Sequence, residues 1–212
     1  MSSPFRFANP ANTDKPDLKA AIHKAVELRE TFEATCPGVV DEVIRQYRLE
    51  HDGFHGPAHW ERVLVNCLLL QQVLPNYVCE HTAFLFALFH DSRRFDEGTD
   101  INHGRRGADY FLQMYETGEL PLETGFFSTI ADFEAMKSRA YRAMAYHTTS
   151  RFENDPKVAS CLDGDRLDLM RVGIYPDINR LHYQSAISDS LIYACSMRAR
   201  NALDTPIFRR AK

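Results

Sequence analysis

Apolar residues recur along this chain at three- and four-residue spacings, with almost no two-residue alternation, so helices are predicted throughout. The first runs from Pro16-Asp17 to the Pro37-Gly38 break, with Leu18, Ile22, Val26 and Leu28 on its apolar side. A second is expected over 39–49, before the break at Asp52-Gly53. A third starts at Pro57, a residue suited to a first helical turn, and runs to the Pro75 break. Further helices are expected over 77–90, 103–118, 129–146, 157–170 and 183–203. Residues 1–16 carry three prolines and no periodicity and read as a loose arm before a single domain over 17–212. The expected fold is all-α, one bundle of about eight helices.

Composition changes this picture little. At 212 residues the chain is long enough to bury a core without disulfide or oligomeric support. A net charge of −4, from 25 Lys+Arg and 29 Asp+Glu, excludes the basic footprint of a nucleic-acid-duplex binder. No apolar run reaches the roughly 18 residues of a membrane span. The opening MSSPFRFANPANTDKP lacks the apolar stretch of a secretory signal. Five scattered cysteines with no CxxC pair read as free thiols of a reducing compartment, so a cytoplasmic location is expected. Oligomeric state is left open.

Nine histidines are the feature with chemical content. His51-Asp52 sits beside Gly53 in a polar turn and reads as a solvated loop. His90-Asp91, by contrast, ends the stretch TAFLFALFHD, which is apolar on all sides and therefore a buried helix. An imidazole and a carboxylate placed there need compensation, and a metal ion converts both into ligands. Extending the Val63–Cys67–Leu70–Leu74 stripe back one turn lands on His59. The Val158–Cys161–Leu162–Leu169 stripe likewise turns Asp165 inward and Asp163 away. Two histidines and two carboxylates on separate helices suit a divalent ion with N/O ligands. His103, one turn before the small pair Gly107-Ala108, and His147, closing the long helix, fit a second ion or a supporting role. His23, His81 and His182 have no such context.

The ordered series His59, His90-Asp91, Asp165, with His103 and His147 between, resembles the HD-domain phosphohydrolase superfamily. The strings HGPAHWERV, FHDSRRFDEGTDINHGRRGA, AYHTT and CLDGDRLDLMRVGIYP are similar to small stand-alone HD hydrolases, and the likeness covers about residues 50–180. The resemblance implies an HD-type helical bundle in which His59, His90, Asp91 and Asp165 bind one metal. It also implies that His103 and His147 join Asp91 on a second. Arg94 stands where cyclic-dinucleotide phosphodiesterases of the superfamily carry lysine, and their GYP string is absent, so that substrate is not implied.

The expected activity is a metal-dependent phosphohydrolase, cleaving a phosphomonoester or phosphodiester of a nucleotide or other small phosphorylated molecule by metal-activated water. Asp91 would bridge two divalent ions, drawn from Mn, Fe, Co, Mg and Zn. Arg94, Arg93 and Arg106 are the candidate phosphate ligands, because guanidinium forks match phosphate oxygens. His55, one turn before His59, is the candidate proton donor to the leaving group. Arg62 and Arg166 could orient ligand carboxylates, and 96–102 reads as a flexible lid over the site. The alternatives are a nucleotide-binding regulatory module without turnover and a di-iron oxygenase on the same scaffold.

Overall fold

The computed structural model describes residues 16–121, 125–127, 133–201, 203 and 205–209. The expected arm, apart from Pro16, and the 129–132 start of the sixth expected helix lie outside the described residues. Among the described residues the regular structure is entirely helical, as the periodicity implies. The order is α1 (Leu18–Thr35), α2 (Val39–Arg45), α3 (Pro57–Val73), α4 (Glu80–Phe89), α5 (His103–Glu116), α6 (Phe133–Tyr146), α7 (Pro156–Arg166) and α8 (Asp189–Arg198).

Local chemistry sets the starts. Asp17 caps α1 by accepting from the Lys19 and Ala20 amides, and Asp155 caps α7 ahead of Pro156. The last helix is shorter than expected because Ser188 caps it by accepting from the Leu191 amide. Residues 183–187 instead form a turn, where Tyr183 donates its hydroxyl to the Pro156 carbonyl at 2.9 Å. The inner face of α1 also differs from the expected one. Ala21, Ala25, Leu28 and Phe32 are buried, while Leu18 is exposed and Ile22 and Val26 are half-buried. α1 packs on α3, and two of its four buried residues are alanines, which a count of large apolar residues misses.

α4 lies at the centre. Thr82–Phe89 are buried without interruption, and α3, α5, α6 and α7 pack around them. Two glycines let α5 reach the ends of α4 and α6. A Cβ on Gly107 would stand 2.3 Å from the Phe89 carbonyl oxygen, and one on Gly104 would stand 2.4 Å from that of Met144. Both obstacles are backbone, which yields only if the helices part. Gly107→Ala is therefore expected to cost about 1–3 kcal/mol. At this size each kcal/mol lowers the melting temperature by about 2–4 °C. Thermal unfolding at the wild-type temperature would show that α5 has room to spare.

Candidate metal centre

Five helix ends converge at one point. His59 lies in the first turn of α3, His90-Asp91 follows α4, His103 opens α5, His147 follows α6, and Asp165 lies in the last turn of α7. All six expected metal ligands are brought together and buried, Asp165 being the most accessible at 9%. Asp91 divides its oxygens between two histidine pairs. Its Oδ2 lies 3.6 Å from His59 Nε2 and 3.7 Å from His90 Nε2. Its Oδ1 lies 3.0 Å from His103 Nε2 and 3.6 Å from His147 Nε2. Asp165 Oδ1 completes the first group, 3.4 Å from His59 Nε2.

The hydrogen bonds on the far sides of these rings decide what the near sides present. His59 Nδ1 meets the Asp168 carboxylate at 2.7 Å, and His90 Nδ1 meets the Phe86 and Ala87 carbonyls at 3.0 and 3.1 Å. His147 Nδ1 meets the Met144 carbonyl at 2.8 Å, and His103 Nδ1 meets that of Asp100. All of these partners can only accept. Each Nδ1 therefore carries the proton, and each Nε2 turns a lone pair inward. Yet the Nε2 atoms of His59 and His90 stand 3.2 Å apart, and those of His103 and His147 stand 2.8 Å apart. Lone pairs that close repel unless a proton or a cation lies between them. Burial pushes His90 down to about 3, against the pull of Asp91, so at neutral pH no proton sits on it. A cation remains.

The carboxylates say the same. Asp91 Oδ1 and Asp165 Oδ1 are buried and accept no hydrogen bond. Burial raises both carboxyls, but the surrounding groups hold both well below the usual range. For Asp91 these are first His90, then His103, His147 and His55; for Asp165 they are His59, Arg171 and His147. Both are charged at any ordinary pH. Atoms bonded at about 2.1 Å to one ion stand about 3.0 Å apart in octahedral and about 3.4 Å in tetrahedral arrangement, close to the spacings here of 2.8 to 3.7 Å. The groups His59–His90–Asp165 and Asp91–His103–His147 can each hold a divalent ion.

Asp168, which sequence reasoning passed over, holds His59 in place. It also accepts from Arg62 Nε at 2.8 Å and Nη2 at 3.0 Å. Burial would raise its carboxyl, but His59 and Arg62 keep it lowered. Arg62 thus supports a ligand imidazole through Asp168 rather than touching a ligand carboxylate. The readable signal was Asp168 at three residues from Asp165, on the same side of a helical turn.

The structure corrects the reading of Asp163. It is fully buried rather than turned away, because α7 is enclosed all round from Val158 to Asp165. Its carboxylate accepts from the amides of His182 at 2.8 Å and Tyr183 at 3.3 Å, and it pairs with His182 Nδ1 at 2.8 Å. Arg166 likewise serves structure, donating to the Ser150 and Arg180 carbonyls.

A cleft of about 700 Å³ opens onto Asp91, His147 and Asp165, within the size range of ligand sites. A larger neighbouring cleft of about 1290 Å³ shares Glu97 and Arg171 but touches none of the six metal-ligand candidates. Of the three candidate phosphate ligands, two lie away from the first cleft. Arg93 lies over the Tyr110 ring at 3.5 Å and donates to Gln46 at 2.5 Å. Arg106 lies over Phe95 at 4.0 Å and donates to the Arg93 carbonyl and to Asp100. Arg94 lines the cleft, but its nitrogens are engaged. Nε and Nη2 hold the carbonyls of Asp96 (3.2 Å) and Gly98 (2.8 Å), and Nη1 lies 3.1 Å from His103 Nε2. With Asp100 accepting from the Phe95 amide, the expected lid over 96–102 is cross-tied rather than loose.

His55 lines the cleft and donates Nδ1–H to Asp91 Oδ2 at 2.9 Å. Burial pushes its pKa down despite Asp91, leaving a neutral ring whose free Nε2 accepts protons rather than giving them. The expected proton donor therefore has the geometry of an acceptor. Beyond it, 3.9 Å from Nε2, lies Glu97, whose two carboxylate oxygens are buried without a partner.

No family model, curated protein or solved structure significantly matches this chain. Among the described residues no helix is long and apolar enough to cross a membrane.

Proposed function

We propose that the protein is a metal-dependent phosphohydrolase of the HD type, acting on a nucleotide or another small phosphate ester. The observation that carries this reading is the meeting at one buried point of four inward Nε2 atoms with the partnerless Oδ1 atoms of Asp91 and Asp165, two groups that can each hold a divalent ion. When bound, two divalent ions supply Lewis acidity toward phosphoryl oxygens and make water more acidic.

The protein's own groups do the rest. Asp91 holds the two groups of imidazoles in register through one carboxylate, and Asp168 fixes the His59 ring against rotation. His55 Nε2 takes up the proton released by the attacking water, and Glu97 stands behind it toward solvent. α4 and its neighbours exclude water from the inner side of the ligands, so the substrate approaches only from the cleft.

Protein purified without chelator is expected to carry about two ions per chain and to hydrolyse members of a panel of phosphomonoesters and diesters. His103→Ala should lose one ion, keep the other, and turn over substrate about 100-fold more slowly or worse, since a single ion cannot stabilise both the attacking and the leaving oxygen. Elemental analysis and the same panel check this. One ion per chain under excess metal, with His103→Ala as active as wild type, would refute the two-ion reading. A nucleotide that raises the melting temperature and stays intact would refute turnover.

A further inference from the structure

Arg171 lies just beyond α7, in the 3-10 turn Leu169–Val172, and its side chain is only 7% exposed. It lines the cleft beside the metal-ligand cluster. Its Nη2 stands 3.6 Å from Asp165 Oδ1 and 3.5 Å from His55 Nδ1, which already donates to Asp91. Nε and Nη1 are buried with no hydrogen-bond partner at all. A guanidinium this deep, without one well-made hydrogen bond, is unfavourable unless something else completes it.

The other arginines of the cleft are in different situations, Arg151 being exposed on its rim. Arg94 and Arg166 spend their nitrogens on backbone carbonyls, and the side chain of Arg180 is 79% exposed beside Asp177. Arg171 alone combines depth, charge and open donors at the point where Asp165 and His55 meet. We propose that Arg171 is the anion receptor of this cleft, binding the non-bridging oxygens of a phosphate group through its guanidinium fork. The fit is chemical: a planar fork with unmatched N–H groups is complementary to a phosphate's paired oxygens. This rests on the reading of the cleft as a phosphate-ester site, and it moves the phosphate contact from Arg94, Arg93 and Arg106 to a residue 77 positions beyond Arg94 in the chain.

The test is a calorimetric titration of inorganic phosphate into manganese-loaded wild type, Arg171→Ala and Arg171→Lys, with metal content measured on each. Arg171→Ala should bind phosphate at least about tenfold more weakly with the metal content unchanged. Arg171→Lys, which keeps the charge but loses the fork, should recover part of that loss. Equal phosphate affinity in wild type and Arg171→Ala, or no phosphate binding by wild type, would overturn the proposal. Wild type that binds phosphate through Arg171 yet cleaves no ester would support the receptor and refute the phosphohydrolase reading, so the two stand or fall separately.

Discussion

Asp91→Ala is expected to empty both cation positions at once, which no other single ligand replacement should do. Its two oxygens face different histidine pairs, Oδ2 toward His59 and His90, Oδ1 toward His103 and His147. Removing it takes away a negative charge that faces all four imidazoles, leaving the second pair without a carboxylate and the first with Asp165 alone. Metal content should fall from about two ions per chain to near zero. Turnover should fall by at least about three orders of magnitude, more than the roughly 10²–10³-fold cost of losing one oxyanion-stabilising donor in other enzymes. Asp91→Asn separates charge from shape, since it keeps the volume and one acceptor oxygen. Elemental analysis with the phosphoester panel decides it. Two ions retained in Asp91→Ala would show that the histidine pairs bind independently.

The second large effect is on stability, where residues 207–209 dock on α3. Glu61 on α3 is fully buried and accepts from the amides of Ile207, Phe208 and Arg209 at 3.0, 2.9 and 2.9 Å through Oε1. Its Oε2 takes the Arg209 guanidinium at 2.7 and 2.9 Å. Ile207 and Phe208 are thereby closed onto the core, Phe208 with its ring 5.4 Å from that of Phe84. Glu61→Ala strands these amides and the Arg209 charge together. The cost should be about 3–5 kcal/mol, the range for breaking a buried ion pair from one side. That corresponds to about 6–20 °C in melting temperature at this chain length. Residues 203–209 should become protease-sensitive before the rest of the chain. A melting temperature within about 2 °C of wild type would show that the tail adds nothing to the core.

Much of this was legible beforehand because helical periodicity is a local property. Turn residues, caps and the 3.6-residue repeat act within a few positions, so the helices and the inward placing of His59, His90-Asp91 and Asp165 follow from neighbouring residues. The same reasoning failed where its premise of one apolar face failed. α7 is enclosed on every side, so Asp163 had no solvent to face and found its partners in the amides of His182 and Tyr183. On α1 the premise misled in the other direction, because two of its four buried positions are alanines.

The arginines mark the boundary most clearly. From its position alone, Arg94 beside Asp91 is the obvious phosphate ligand, and Arg171 has nothing to distinguish it. A guanidinium sits at the end of a long, freely rotating stem, so its destination depends on acceptors supplied by remote segments. Arg94 is captured by the carbonyls of Asp96 and Gly98, while Arg171 is carried to the cleft by the turn after α7 and left with open donors. The sequence by itself determined the helical class and which imidazoles and carboxylates lie on buried faces, because those depend on spacing within one helix. Only the tertiary structure decided which oxygen of Asp91 faces which pair, that His55 is set to accept a proton, and which arginine is free. Those outcomes depend on where five helix ends meet, and no spacing along the chain encodes that meeting point.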